Sequence, residues 1–143
     1  MNEKPILMYY VIMLILVTLL LAPACRQERE YSVVESWLSE GLVEKADFSS
    51  QRISSPGGSI KVFVVHAVVS SGTLADEGEA ENLQYRLASD VPIAEDIDMV
   101  VVKLCEQQEA GWEWKVNRLP IAGRKRMDEQ TWQLFLNQMG GCE

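Results

Sequence analysis

Residues 48–72 read FSSQRISSPGGSIKVFVVHAVVSSG and contain two β-like runs separated by the turn sequence Pro56-Gly57-Gly58. The second run, Ile60 to Val69, is rich in Val and apolar on both faces. Such a run is typical of a central strand that other elements cover on both sides. This segment therefore predicts a sheet whose middle strand is buried.

Three further strands are expected C-terminal to this run. Residues 99–106 form another Val-rich strand, and residues 112–116 alternate apolar and polar side chains, so the two indicate an antiparallel hairpin. We interpret residues 72–82 as an acidic loop. We interpret the alternation of Leu83, Tyr85 and Leu87 as a half-exposed strand.

Helical patterns flank the sheet on both sides. Apolar residues recur at helical spacing from Tyr31, and Trp37 lies beside them. Near the C-terminus, Asp128 is suited to cap the start of a helix and Gly140 to cap its end. The fold class is therefore α+β, with an N-terminal helix, an antiparallel sheet of about four to five strands and a C-terminal helix. It forms a single domain over residues 31–143.

The N-terminus has the layout of an export signal. Lys4 precedes an uncharged apolar run over residues 5–22, and small residues follow. The run is also close to the roughly 20 residues that span a bilayer as a helix. Two alternatives follow, a signal peptide over residues 1–24 that is cleaved, or a membrane anchor that is retained. Residues 25–30 are interpreted as a polar tether.

The sequence LAPAC, residues 21–25, resembles the lipobox of bacterial lipoproteins. The resemblance implies that Cys25 receives diacylglyceryl and fatty acyl chains such as palmitate, so that the protein is anchored to membrane lipid. The domain would then face the periplasm or the cell exterior. Because Arg26 follows the cysteine, the resemblance implies the outer membrane in a two-membrane bacterium. The alternative is a single-span accessory subunit of a membrane complex.

The other two cysteines are Cys105, within an apolar run, and Cys142, next to the last residue. If Cys25 is lipidated, they are left as a candidate disulfide pair in an oxidising compartment. Two free thiols, one buried and one on the tail, are the alternative.

The stretch GWEWKV, residues 111–116, has a GW-x-W-x-V pattern. Together with the leading helix and the sheet, it resembles the small cystatin-like or NTF2-like domains of bacterial lipoproteins. The resemblance implies a cone-shaped domain whose concave sheet holds a small ligand. We expect Trp112 and Trp114, which share one strand face, to belong to the core or to be covered by a helix. The alternative is a candidate ligand groove that would contain Trp112, Trp114 and His66; no binding residue is transferred from the family.

No catalytic constellation accompanies His66, the only histidine, since nucleophile, zinc-protease, phosphate-loop and dinucleotide motifs are missing from the sequence. We expect no metal site and no cofactor, because cysteine ligands would have to remain reduced. A net charge of −8 argues against nucleic-acid binding. The leading hypothesis is a non-enzymatic, membrane-anchored binding or assembly module with a protein partner in the cell envelope. The alternative is a small-ligand-binding domain with possible enzymatic activity.

Overall fold

The computed structural model describes the backbone of residues 4–142, and the side chains of residues 6–18 and 25–142. It confirms the α+β class. The three α-helices are α1 (Lys4–Ser39), α2 (Glu77–Asp90) and α3 (Glu129–Met139), with a short 3-10 turn at Thr73–Ala75 before α2. The four strands are β1 (Lys45–Ser55), β2 (Gly58–Val69), β3 (Met99–Gln108) and β4 (Gly111–Pro120), and they form one sheet in the order β1-β2-β3-β4.

The turn at residues 56–57 joins β1 and β2 into an antiparallel hairpin, as the sequence predicts. Ser55 is the register partner of Gly58, which has φ +118°, a conformation that favours glycine. Strand β2 lies in the middle of the sheet, and Val62, Val65 and Ala67 are fully buried. The Val-rich run is therefore covered on both faces.

The sheet is not wholly antiparallel. The outer pairs β1–β2 and β3–β4 are antiparallel, but β2 and β3 run parallel, with Val62 opposite Met99. The expectation of an antiparallel sheet is wrong for this central pair. Parallel neighbours need a crossover connection, and the segment between residues 69 and 99 supplies it by way of α2.

The expected strand around Leu83 to Leu87 and part of the expected acidic loop are instead helix α2. Asp76 caps this helix by accepting a hydrogen bond from the Glu79 amide at 3.1 Å, and acidic residues in the first turn favour its positive end. Leu87 is fully buried, whereas Tyr85 is 52 % exposed. Leu83 and Leu87 satisfy both a period of two and helical i, i+4 spacing, so alternation alone misled the prediction.

Helices cover both faces of the sheet. Helices α1 and α2 pack on one face, where Trp37 and Leu87 meet Phe63 and Val102 in the larger core. Helix α3 packs on the other face, where Trp132 and Phe135 meet the even-numbered residues of β2. The indole N–H of Trp37 donates a 2.9 Å hydrogen bond to Asp90, which ties α1 to the end of α2.

Helix α1 begins at Lys4 and not at Tyr31, and it continues through residues 25–30, where we expected a tether. Arg26 and Glu30 lie one turn apart with 3.4 Å between their charged atoms, a spacing that supports helix. In the part of the chain that the structure describes, no helix combines the length and hydropathy required to cross a bilayer. Residues 1–3, the side chains of residues 19–24 in the expected signal, and Glu143 lie outside the described residues.

Candidate functional site

One row of register partners crosses the sheet on the face that α3 packs against. Asp47, His66, Lys103 and Val116 are successive partners from β1 to β4. Because side chains alternate along a strand, His66 shares its face with Val62 and Val64, which contact α3. The row therefore continues the α3 face toward the end of the sheet where β2 and β3 finish.

Helix α3 covers only part of this face. It ends at Met139, and the short tail that follows brings Cys142 to Cys105 on β3, where the two form a disulfide with a Cα–Cα distance of 5.8 Å. This is one of the two alternatives that the sequence left open. The tail thus lies across the sheet beyond α3 and is covalently fixed to a buried strand.

Lys103 holds the same tail by hydrogen bonds. Its ammonium donates to the carbonyl oxygens of Gly140 at 2.9 Å and Gly141 at 2.6 Å, and burial lowers the pKa of Lys103. The ammonium also lies 5.6 Å from the centre of the Trp114 ring. These contacts place a cation beneath the tail, next to an aromatic side chain.

Two cavities open beside the tail. One, of about 380 Å³, is lined by Asp47, His66, Trp112 and Cys142 among others. The other, of about 630 Å³, is lined by Trp112, Trp114 and the tail. Trp112 and Cys142 belong to both, so we treat the two cavities as one surface. We call the surface formed by His66, Trp112, Trp114 and Cys142 the distal groove.

His66 faces the disulfide. Its Nε2 lies 3.2 Å from the Cys105 sulfur, and its Nδ1 lies 3.9 Å from a carboxylate oxygen of Asp47. Burial lowers the pKa of His66 below its ordinary value of 6.5; Asp47 opposes this shift, and Lys103 and Lys45 reinforce it. The imidazole is therefore mainly neutral at pH 7.

The structure brings the three residues of the sequence-predicted groove together on one face. Trp112 and Trp114 remain 38 % and 44 % exposed, so the expectation that they lie in the core or beneath a helix is wrong. The sequence did not single out Asp47 and Lys103. A lysine within the Val-rich run of β3 was the available signal, since a buried lysine needs acceptors.

His66, Cys105 and Cys142 also place potential ligand atoms within 4.8 Å of one another. The two sulfurs are joined in a disulfide, and thiolate is the form of cysteine that binds metals. In this state the cluster therefore offers a metal only the imidazole nitrogen of His66.

Cys25 lies at the opposite end of the molecule. It is exposed, and it lines a surface cavity of about 390 Å³ with Arg29 and residues 92–94, which precede β3. The distal groove lies near the other end of β3, where Trp112 is opposite Gln107. The length of β3 between these ends is on the order of 25 Å.

Comparison with family models, curated proteins and solved structures finds no match to this chain.

Proposed function

We propose that this chain is an exported lipoprotein, attached to a membrane through Cys25, that binds a protein partner of the cell envelope through the distal groove. The single observation that carries the proposal is the placement of Cys25 and the groove at opposite ends of the sheet. A lipid on Cys25 would leave the groove directed away from the membrane, where a partner has access to it.

The anchor rests on the N-terminal sequence and on the state of the cysteines. The apolar side chains of residues 6–17 are all exposed, so the protein offers them no core to pack in. Cys25 is exposed and is the one cysteine outside the disulfide among the described residues. Each buried methylene of an acyl chain contributes about 0.8 kcal/mol, so two or more chains would hold the protein firmly. A disulfide in the domain agrees with an oxidising compartment.

The binding role rests on the exposed tryptophans. Tryptophan is enriched among the residues that dominate binding energy at protein interfaces, and an exposed pair beside a cavity is a suitable anchor. The surroundings carry both signs of charge, because the smaller cavity is lined by Lys45, Asp47 and Glu44. A partner with apolar side chains and mixed charges fits this surface.

Binding of a small ligand is a second candidate, and the cavity volumes favour it. Both volumes, about 380 and 630 Å³, lie within the range of roughly 300–1,000 Å³ that is usual for ligand sites. Native mass spectrometry would show such a ligand as an added mass that the Trp112→Ala variant lacks.

Site-specific photo-crosslinking tests the proposed function. A photoreactive residue replaces Trp112 in one variant and Tyr85, an exposed aromatic on α2, in the matched control. We expect one recurrent protein adduct from position 112 in native membranes. Excess purified wild-type protein should suppress it, and excess Trp112→Ala protein should not. Equal adducts from both positions, or none from position 112, would contradict a partner in the groove.

A further inference from the structure

The disulfide in the distal groove has an acid–base group beside it. His66 Nε2 is 3.2 Å from Cys105 Sγ, and the Asp47 carboxylate lies near the other ring nitrogen. A disulfide that serves only to fasten the tail needs neither neighbour. The same arrangement of carboxylate, imidazole and sulfur is the one that activates a thiol.

We propose that the Cys105–Cys142 disulfide is a thiol–disulfide exchange centre that reacts with a protein dithiol, with His66 as the acid that protonates the departing Cys105 sulfur. The proposal goes beyond partner binding and does not depend on lipid at Cys25.

Cys142 is the more accessible of the two cysteines. It keeps 5 % of its surface exposed and lines both cavities of the groove, whereas Cys105 lies on a central strand with no exposed surface. Gly140 and Gly141 precede Cys142, and Gly140 has φ +72°. Because these two residues have no side chains, they do not block the approach of a thiolate to Cys142.

Cys105 is the better leaving group because positive charge can form beside it. A thiolate next to a protonated histidine or a lysine has a lowered pKa, and a thiol of lower pKa leaves faster. His66 lies within hydrogen-bonding distance of the Cys105 sulfur. Lys103 is two residues away on the same face of β3.

The step balances with a dithiol as the reductant. One thiolate of the partner attacks Cys142 Sγ, the bond from partner sulfur to Cys142 forms, and the Cys105–Cys142 bond breaks. The Cys105 sulfur leaves with the electron pair and takes the proton of His66 Nε2. The second thiol of the partner, as its thiolate, then attacks the first partner sulfur. The partner's disulfide forms, the bond to Cys142 breaks, and the Cys142 sulfur leaves with the electron pair and takes a proton from water. Overall the partner loses two hydrogens and this chain gains two.

Three charged groups, together with burial, set the protonation of His66: Asp47 and Lys45 on β1, and Lys103 on β3. Glu44 lines the same cavity. The acid form of His66 grows as the pH falls through a pKa that lies below 6.5. The rate constant for exchange, expressed per attacking thiolate, should therefore rise as the pH falls through this range.

The test measures reduction of the full-length, natively folded chain by dithiothreitol between pH 5 and pH 8. Quenched samples are alkylated to count free thiols, and each rate is corrected for the thiolate fraction of the reagent. We expect a rate proportional to dithiothreitol concentration. We expect His66→Ala to lower the corrected rate at the acidic end roughly tenfold and to remove its pH dependence. Ser50→Ala, an exposed change on β1, should leave both unchanged.

Two additional measurements keep the outcome decisive. Glutathione, a monothiol, should be trapped on Cys142 and not on Cys105, as peptide mass spectrometry can show. His66→Gln retains a polar side chain without the titrating group and should behave as His66→Ala does. It therefore replaces His66→Ala in the test if that variant does not fold. A rate that is independent of reductant and equal to the unfolding rate would overturn the proposal. So would an adduct on Cys105, or an unchanged pH profile in both His66 variants.

Discussion

Lys103 fixes the C-terminal tail by donating a 2.6 Å hydrogen bond from its ammonium to the carbonyl oxygen of Gly141. A second bond to Gly140 and the adjacent Cys105–Cys142 disulfide hold the same three residues. The fixed tail therefore lines the larger cavity of the distal groove together with Met139 at the end of α3, and its Cys142 also lines the smaller cavity.

Replacement of Lys103 tests how much its two hydrogen bonds to the tail stabilise the fold. Lys103→Met keeps most of the side-chain volume but removes both hydrogen bonds, and hydrogen bonds to charged groups contribute about 1.5–3 kcal/mol. Relief of the buried charge offsets part of this loss, so we expect the free energy of unfolding in urea to fall by about 1–2 kcal/mol. Lys125→Met is the control, because Lys125 donates to the Ser59 carbonyl at an exposed site. If Lys125→Met lowers the free energy of unfolding as much as Lys103→Met does, the hydrogen bonds of Lys103 to the tail have no special role in stability.

Removal of the disulfide should destabilise the domain without unfolding it. The bond joins residues 37 positions apart, and the chain-entropy treatment assigns about 3–4 kcal/mol to a loop of that length. We expect Cys142→Ser to lower the free energy of unfolding by about that amount. Cys25→Ser should leave it unchanged, since Cys25 is outside the disulfide and exposed. If Cys142→Ser and the wild type have the same free energy of unfolding, the Cys105–Cys142 disulfide does not stabilise the domain as described.

Among the residues that join the helices to the sheet, we expect substitution of Trp37 to lower the free energy of unfolding most. Trp37→Phe removes the hydrogen bond to Asp90 and leaves a void in the larger core, which together should cost about 2–4 kcal/mol in urea unfolding. Trp114→Phe, at a half-exposed position, should cost less than about 1 kcal/mol. A larger loss of unfolding free energy for Trp114→Phe than for Trp37→Phe would contradict the burial of Trp37 in the larger core.

Glu106 makes stability depend on pH. Its buried carboxylate accepts hydrogen bonds from the Gln108 side chain, which is the first cause of its lowered pKa, and from the Leu74 amide. A carboxyl group whose pKa is lower in the folded state stabilises the fold above its ordinary pKa of 4.5 and loses that effect as the pH falls. Thermal unfolding should show a Tm gap between wild type and Glu106→Gln at pH 7 that narrows below the ordinary pKa. Glu109→Gln, at an exposed position, should show no gap; a gap for Glu106→Gln that widens in acid would contradict this account.

The sequence was sufficient for the class of the fold and for the local elements with strong signals. The Pro56-Gly57 turn and the Val-rich run of β2 form as predicted, because turn chemistry and burial act over a few residues. Helix α2 was missed because Leu83 and Leu87 satisfy two periods at once. The capping by Asp76 was the local signal that could have decided between them.

The groove was predicted only in part, for a topological reason. Trp112 and Trp114 alternate on one strand, so their common face follows from the sequence. The approach of His66 to Cys105 depends on the parallel register of β2 and β3, which pairs residues 37 positions apart. Local patterns contain no information on that register, so the sequence could not place Asp47 and Lys103 beside His66.

The intact mass of the full-length protein, purified from native membranes, tests the central claim most directly. The proposal predicts the loss of residues 1–24, an added mass equal to diacylglyceryl and acyl chains at Cys25, and no free thiol before reduction. In a Cys25→Ala variant the added mass should disappear and residues 1–24 should remain. The mass of the unmodified 143-residue chain in the wild-type protein would contradict the account.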